Sequence, residues 1–98
     1  MPIDDGYAIS YTALPTGIPV YSSDEVEVGT VREVLDNTRE RIFDGIVMEN
    51  GAGVRVFVDA PEVARTAERA VTLTITAAQV AELPPHKPGG LRGKLFGR

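Results

Sequence analysis

The side chains with chemical potential in this chain are few, and most sit where chemistry is hard to do. Asp24, Glu25 and Glu27 crowd one turn, and hard cations such as Ca²⁺ or Mg²⁺ take several oxygen ligands. The spacing does not match a loop that wraps a cation and no glycine lies within it, so a solvated acidic turn is expected. Asp44 lies between Phe43 and Gly45 in an apolar run. A carboxylate there must be hydrogen-bonded, paired or at the mouth of the fold. We expect a structural partner, Arg41 or Arg55, ahead of a functional acid with a perturbed pKa. His86 is the single histidine, follows Pro85, and has no second ligand or nucleophile beside it. Tyr7, Tyr11 and Tyr21 offer flat faces on which nucleic-acid bases could stack. Half-buried caps on the core are the expected role instead. Asp59 precedes Ala60-Pro61 and is expected to cap a helix start.

These residues form no catalytic constellation. No nucleophile is paired with a base, no ligands stand at metal spacing, and no glycine loop is built to cradle phosphate. The expectation is no catalytic residue, no cofactor and no metal site. The remaining candidates are the cations of the C-terminal segment, Lys87, Arg92, Lys94 and Arg98, as contacts to a partner or to nucleic acid. They are interleaved with Leu91, Leu95 and Phe96, so docking in a partner groove, weak adhesion to an anionic membrane and contact with RNA phosphates are all open to them. Four charges worth about 1 kcal/mol each near an anionic surface bind weakly, so no stable membrane association is expected. A plain solubilising end is the competing explanation.

Charge is divided along the chain. All 14 acidic residues lie in 1–85 with six of the ten basic ones (Arg32, Arg39, Arg41, Arg55, Arg65, Arg69), a net of −8. Residues 86–98 hold the other four basic residues and no acid, a net of +4. An acidic body repels nucleic acid and anionic surfaces at long range. Ninety-eight residues make room for one domain. The absence of cysteine excludes a disulfide scaffold and a thiolate metal site. The acidic start Met1-Pro2-Ile3-Asp4-Asp5 is unlike a signal peptide, and no apolar run reaches the ~18 residues of a membrane span. A cytoplasmic location is the expectation.

The elements that must position any site are short strands. Ile18–Tyr21 reads as a strand with Pro19 at its start or on an edge. Val28–Leu35 follows, its apolar phase shifting at Gly29, where a bulge or a close backbone crossing fits. Ile42–Met48 is apolar on both phases and so central. Asn50-Gly51 is expected to supply the positive φ of a tight hairpin, with Val54–Val58 returning. Pro61–Arg65 reads as one helical turn. Val71–Ile75 alternates with threonine as a half-buried strand. Thr76-Ala77-Ala78-Gln79 is a capping-box pattern opening a short helix through Leu83. Tyr7–Leu14 is extended enough to add an edge strand. The organisation expected is an N-terminal extension over 1–16, a folded domain over 17–85, and a basic flexible tail over 86–98.

The order Gly17-Ile18-Pro19-Val20-Tyr21-Ser22-Ser23-Asp24, Val28-Gly29-Thr30-Val31, Ile42-Phe43-Asp44-Gly45-Ile46-Val47, Arg55–Val63 and Val71–Thr76 resembles the PRC-barrel domains. That family is shared by photosynthetic reaction-centre H subunits and ribosome maturation factors, and it also occurs as stand-alone small proteins. The resemblance spans about residues 16–83. It departs at the first hairpin, where the family often has Asp-Gly and this chain has Asp24-Glu25. The resemblance implies a mainly β fold: a small, strongly curled antiparallel β-barrel of about six strands with one or two short helices. It also implies a role in binding and assembly, and no catalytic residues.

The function expected is therefore a non-enzymatic adaptor for a protein partner. Self-association as a homodimer belongs to the same class, through an edge supplied by Val26, Val28 or the Ile9 segment. The alternative is an RNA- or ribosome-associated factor that uses the basic tail. The net charge of the body argues against it.

Overall fold

The computed structural model describes residues 4–37 and 39–86. The candidate contacts Lys87, Arg92, Lys94 and Arg98 lie outside the described residues. Six strands follow in chain order: β1 (Pro19–Tyr21), β2 (Glu27–Asn37), β3 (Ile42–Asn50), β4 (Arg55–Asp59), β5 (Val63–Thr66) and β6 (Val71–Leu73). One α-helix, α1 (Ala77–Ala81), comes after them, and 3-10 turns occupy Tyr11–Ala13 and Ala60–Glu62. The strands form one sheet in the order β4-β3-β2-β1-β6-β5.

That order corrects two features of the expected barrel. The sheet is mixed, because β1 and β6 run parallel through Val20↔Val71 and Tyr21↔Thr72 while the other pairs are antiparallel. The sheet is also open, with β4 and β5 at its two ends. The link between those ends is the turn Ala60–Glu62, whose Pro61 has no N–H to give to a ladder. The helical turn expected over Pro61–Arg65 is therefore shorter than its pattern, and strand β5 takes its second half. Pairing with β6 decides this: Val63 lies opposite Leu73, and Thr74 N–H donates to the Glu62 carbonyl at 2.8 Å. Asp59 holds the position before the turn but makes no side-chain capping bond.

β3 is flanked on both sides and buried on both phases, as an apolar run without alternation demands. Ile46 and Met48 enter the main core with Val20, Val31, Val56, Val58, Val71 and Leu73, closed by Leu14 and by Val80 of α1. Val47 is also buried, opposite Phe57. Full burial of a side chain such as Ile46 contributes about 1.5–3 kcal/mol. Gly45 belongs to this packing: a Cβ there would stand 2.1 Å from the Val58 carbonyl oxygen and 2.8 Å from the Phe57 ring.

Bulges interrupt the ladders. Val28 is the extra residue of β2 against β1, since Val20 pairs with Gly29 and Tyr21 with Glu27. The close crossing expected at Gly29 is also present, for a Cβ there would lie 2.4 Å from the Glu49 carbonyl oxygen. Asp44 is the extra residue of β3 against β2, because Leu35 pairs with Gly45 and Asp36 with Phe43. A bulge leaves one residue outside the regular alternation, and half-buried Asp44 needs no cationic partner there. Among the described residues neither Arg41 nor Arg55 pairs with it; Arg55 stands 3.9 Å from Glu49 instead.

Two loops share one design. In the first, Ser22 N–H donates to Val26 O and Glu25 N–H to Ser22 O, both at 2.9 Å, while Ser22 Oγ accepts from Val26 N–H at 3.1 Å. In the second, Asn50 N–H donates to Val54 O and Gly53 N–H to Asn50 O, both at 2.9 Å, and Asn50 Oδ1 accepts from Val54 N–H at 3.0 Å. This is a type I turn followed by a left-handed residue. The left-handed position is Gly53 (φ 81°) in one loop and Glu25 (φ 65°) in the other. The positive φ expected at Asn50-Gly51 thus falls two residues later, and Asn50 acts through its side chain.

The N-terminal segment does not form an edge strand over Tyr7–Leu14. It makes a single bridge, Ala8↔Ala67, and then turns through Tyr11–Ala13, where Ser10 caps by accepting from Thr12 N–H at 3.1 Å. The capping box of α1 is formed: Gln79 N–H donates to Thr76 Oγ1 at 3.2 Å and Thr76 N–H to Gln79 Oε1 at 2.9 Å. The helix ends at Ala81, before the expected Leu83.

Candidate functional site

A concave feature with an aromatic wall lies beside β5. It is a groove of about 230 Å³ whose lining includes Ile9, Tyr11, Phe43, Val63, Ala64 and Thr66. Its far wall is a stacked aromatic pair, Tyr11 and Phe43, with ring centroids 4.8 Å apart and planes 18° from parallel. The capped turn at Ser10 sets Tyr11, and the bulge beside Phe43 sets its partner. Ala64 is the extra residue of a bulge in β5 and is exposed, so the edge of β5 is blunted against continuous strand pairing.

The other wall is held by a clasp between the chain start and the β5–β6 connection. Arg65 donates through Nε to Asp5 Oδ2 at 2.7 Å and through Nη2 to Asp5 Oδ1 at 3.2 Å and to the Gly6 carbonyl at 2.8 Å. Thr66 accepts from Ile9 N–H at 3.0 Å through its carbonyl and donates through Oγ1 to the Ile9 carbonyl at 2.6 Å. The Arg65 hydrogen bond holds the Asp5 carboxyl below its ordinary pKa, against the opposing effect of burial, and raises Arg65 in turn. The guanidinium is thus committed to structure. The groove wall offers aromatic and aliphatic surface together with the polar side chains of Ser10, Arg65 and Thr66.

The acidic turn has a structural task. Asp24 Oδ1 accepts from the Ser22 hydroxyl and from Ala77 N–H at 3.1 Å, tying the turn to the start of α1. Its pKa is lowered, chiefly by the Ser22 hydroxyl, with the Ala77 N–H adding to that against desolvation. Among the described residues no group of three or more His, Cys, Asp or Glu side chains is placed to hold a metal ion. No helix among them is long and apolar enough to cross a membrane.

The three tyrosines separate. Tyr11 joins the groove, Tyr21 is half-buried in β1, and Tyr7 is 80% exposed, which corrects its expected place as a cap on the core. His86 lies tilted against Phe57, with ring centroids 6.0 Å apart and planes at 33°, and its backbone N–H donates to the Arg55 carbonyl at 2.7 Å. Pro85 bridges Val56, so the chain covers this end of β4. The edges expected at Val26 and Val28 are corrected too: Val28 lies in β2, which has a neighbour on each side, and Val26 belongs to a turn. Sequence reasoning did not find β5 or its groove, because Val63–Thr66 shows neither alternation nor a turn signal of its own. The one available hint was Tyr11, singled out for its flat face. Comparison of the chain with protein-family models and with curated proteins found no match.

Proposed function

We propose that this protein is a non-enzymatic binding module, an adaptor that holds a segment of another protein in the groove beside β5. The Tyr11–Phe43 stack next to exposed Ala64 carries this reading, because aromatic surface beside a strand edge is a recurring way to seat a partner side chain. The similarity of the residues to PRC-barrel domains supports it, and we read the open mixed sheet as a variant of that curled architecture working in the cytoplasm. The bulge at Ala64 favours a partner that inserts a side chain over one that adds a full strand.

The test is to immobilise full-length protein and its Ala64→Arg variant, in which a long charged side chain fills the groove without touching the core. Both are exposed to native cell extract at two salt concentrations. A discrete protein retained by the parent and lost by the variant is the expected result. Equal retention by both, or retention dominated by RNA and released by salt, moves the function away from the groove and overturns the reading.

A further inference from the structure

The end of the sheet that carries the two matched loops holds a second groove, of about 320 Å³, lined by Glu27 to Thr30 on β2 and by Glu49, Asn50 and Gly51. Gly29 and Gly51 are among its lining residues, and the space beside Gly51 is open. Each flanking loop exposes a valine, Val26 at 46% and Val54 at 37%. Glu49 is already shared by Arg32 at 3.2 Å and Arg55 at 3.9 Å. Among the described residues Glu25 and Glu27 take part in no ion pair.

The described residues end beside β4, at this end of the sheet. Pro85 pairs with Val56 as an antiparallel bridge and the His86 backbone N–H donates to the Arg55 carbonyl, so the chain runs toward the Val54 end of β4 where the described residues stop. The twelve residues after His86 can reach up to about 40 Å when extended. The groove lies only two strand spacings from β4, about 10 Å. Residues 87–98 carry Lys87, Arg92, Lys94 and Arg98 with no acid, against a body of the opposite sign. They also carry Leu91, Leu95 and Phe96, a match for a site with apolar shoulders and unpaired carboxylates.

We propose that residues 87–98 fold back in cis across the loop end of the sheet, seating their cations against Glu27 and Glu25 and their apolar side chains against Val26 and Val54. The proposal stands apart from the β5 groove and does not depend on it.

The chain has no cysteine, so Gly97→Cys in the full-length protein gives one attachment point for a nitroxide label. Amide spectra should then show Glu27, Gly29, Gly51 and Val54 losing about half their intensity or more in the paramagnetic state, while amides of β5 are spared. The loss should shrink with Glu27→Lys on the exposed rim, and in about 1 M salt, where the Debye length is about 3 Å. Mixing isotope-labelled protein without nitroxide and unlabelled protein with it should give no loss. Broadening in that mixture would assign the groove to a second copy. Broadening centred on β5, or no localised broadening, would show that the segment does not dock there. Each of these outcomes overturns the proposal.

Discussion

Glu25 shows how one residue carries the strain of a loop. Its backbone sits at φ 65° in the position that Gly53 fills in the matching loop. A side chain in the left-handed region costs about 1–2 kcal/mol. Glycine gives part of that back as lost chain entropy, about 0.5–1 kcal/mol. Glu25→Gly should therefore stabilise the protein by about 0.5 kcal/mol, read as a higher denaturant midpoint at unchanged slope. Gly53→Ala should destabilise it by about 1 kcal/mol in the same assay. Asp5 belongs at this scale as well. Its pKa is lowered in the folded state by Arg65, so its contribution is present above the unfolded carboxylate value of about 3.9 and is lost as pH falls through the folded value. Asp5→Asn should lower Tm at neutral pH, with the gap to the parent narrowing as the pH drops below about 4. A gap that stays constant with pH would mean the clasp acts through packing alone.

At the scale of elements, β3 organises the sheet, and its backbone passes close to its neighbours at Gly45. A Cβ there meets the Val58 carbonyl oxygen and the Phe57 ring, and φ is 150°, where side chains are rarely accommodated. Gly45→Ala should cost about 3 kcal/mol, measured by denaturant unfolding, because β4 or Phe57 must move. Helix α1 has five residues and draws little stability from propensity. Its capping box and its bond to Asp24 hold it in place, while Val80 anchors it to the core. Thr76→Ala should cost about 1 kcal/mol on the same measurement.

For the whole molecule, the two ends of the sheet are treated differently. β4 is partly covered by Pro85 and His86, and β5 by Ile9 and the bridge at Ala8. An open sheet needs such covers, since bare edges invite pairing with other chains. Covering these edges leaves grooves where another segment can settle, among them one with an aromatic wall and one flanked by carboxylates. The Ala64→Arg comparison tests the first and the nitroxide on Gly97→Cys tests the second. Because they lie on different elements, either substitution should leave the other groove unaffected, as separate sites usually act additively.

What the sequence by itself determined is local. The alternation of Val71–Leu73, the two-phase run of β3, the capping box at Thr76 and the bulge with a close crossing around Gly29 follow from side-chain period, hydrogen-bond chemistry and the missing Cβ of glycine. These effects act within a few residues of their cause. Tertiary structure decided the rest. The parallel pairing of β1 with β6 joins segments some fifty residues apart, Val20 with Val71, and no local period encodes direction across such a span. β5 exists because β6 offers it a ladder in place of the helical turn its residues suggest. Asp44 needs no cation because a slip in register sets it apart. The β5 groove arises only when a turn near the chain start, a bulge in β3 and a short strand meet, and no stretch of sequence contains all three.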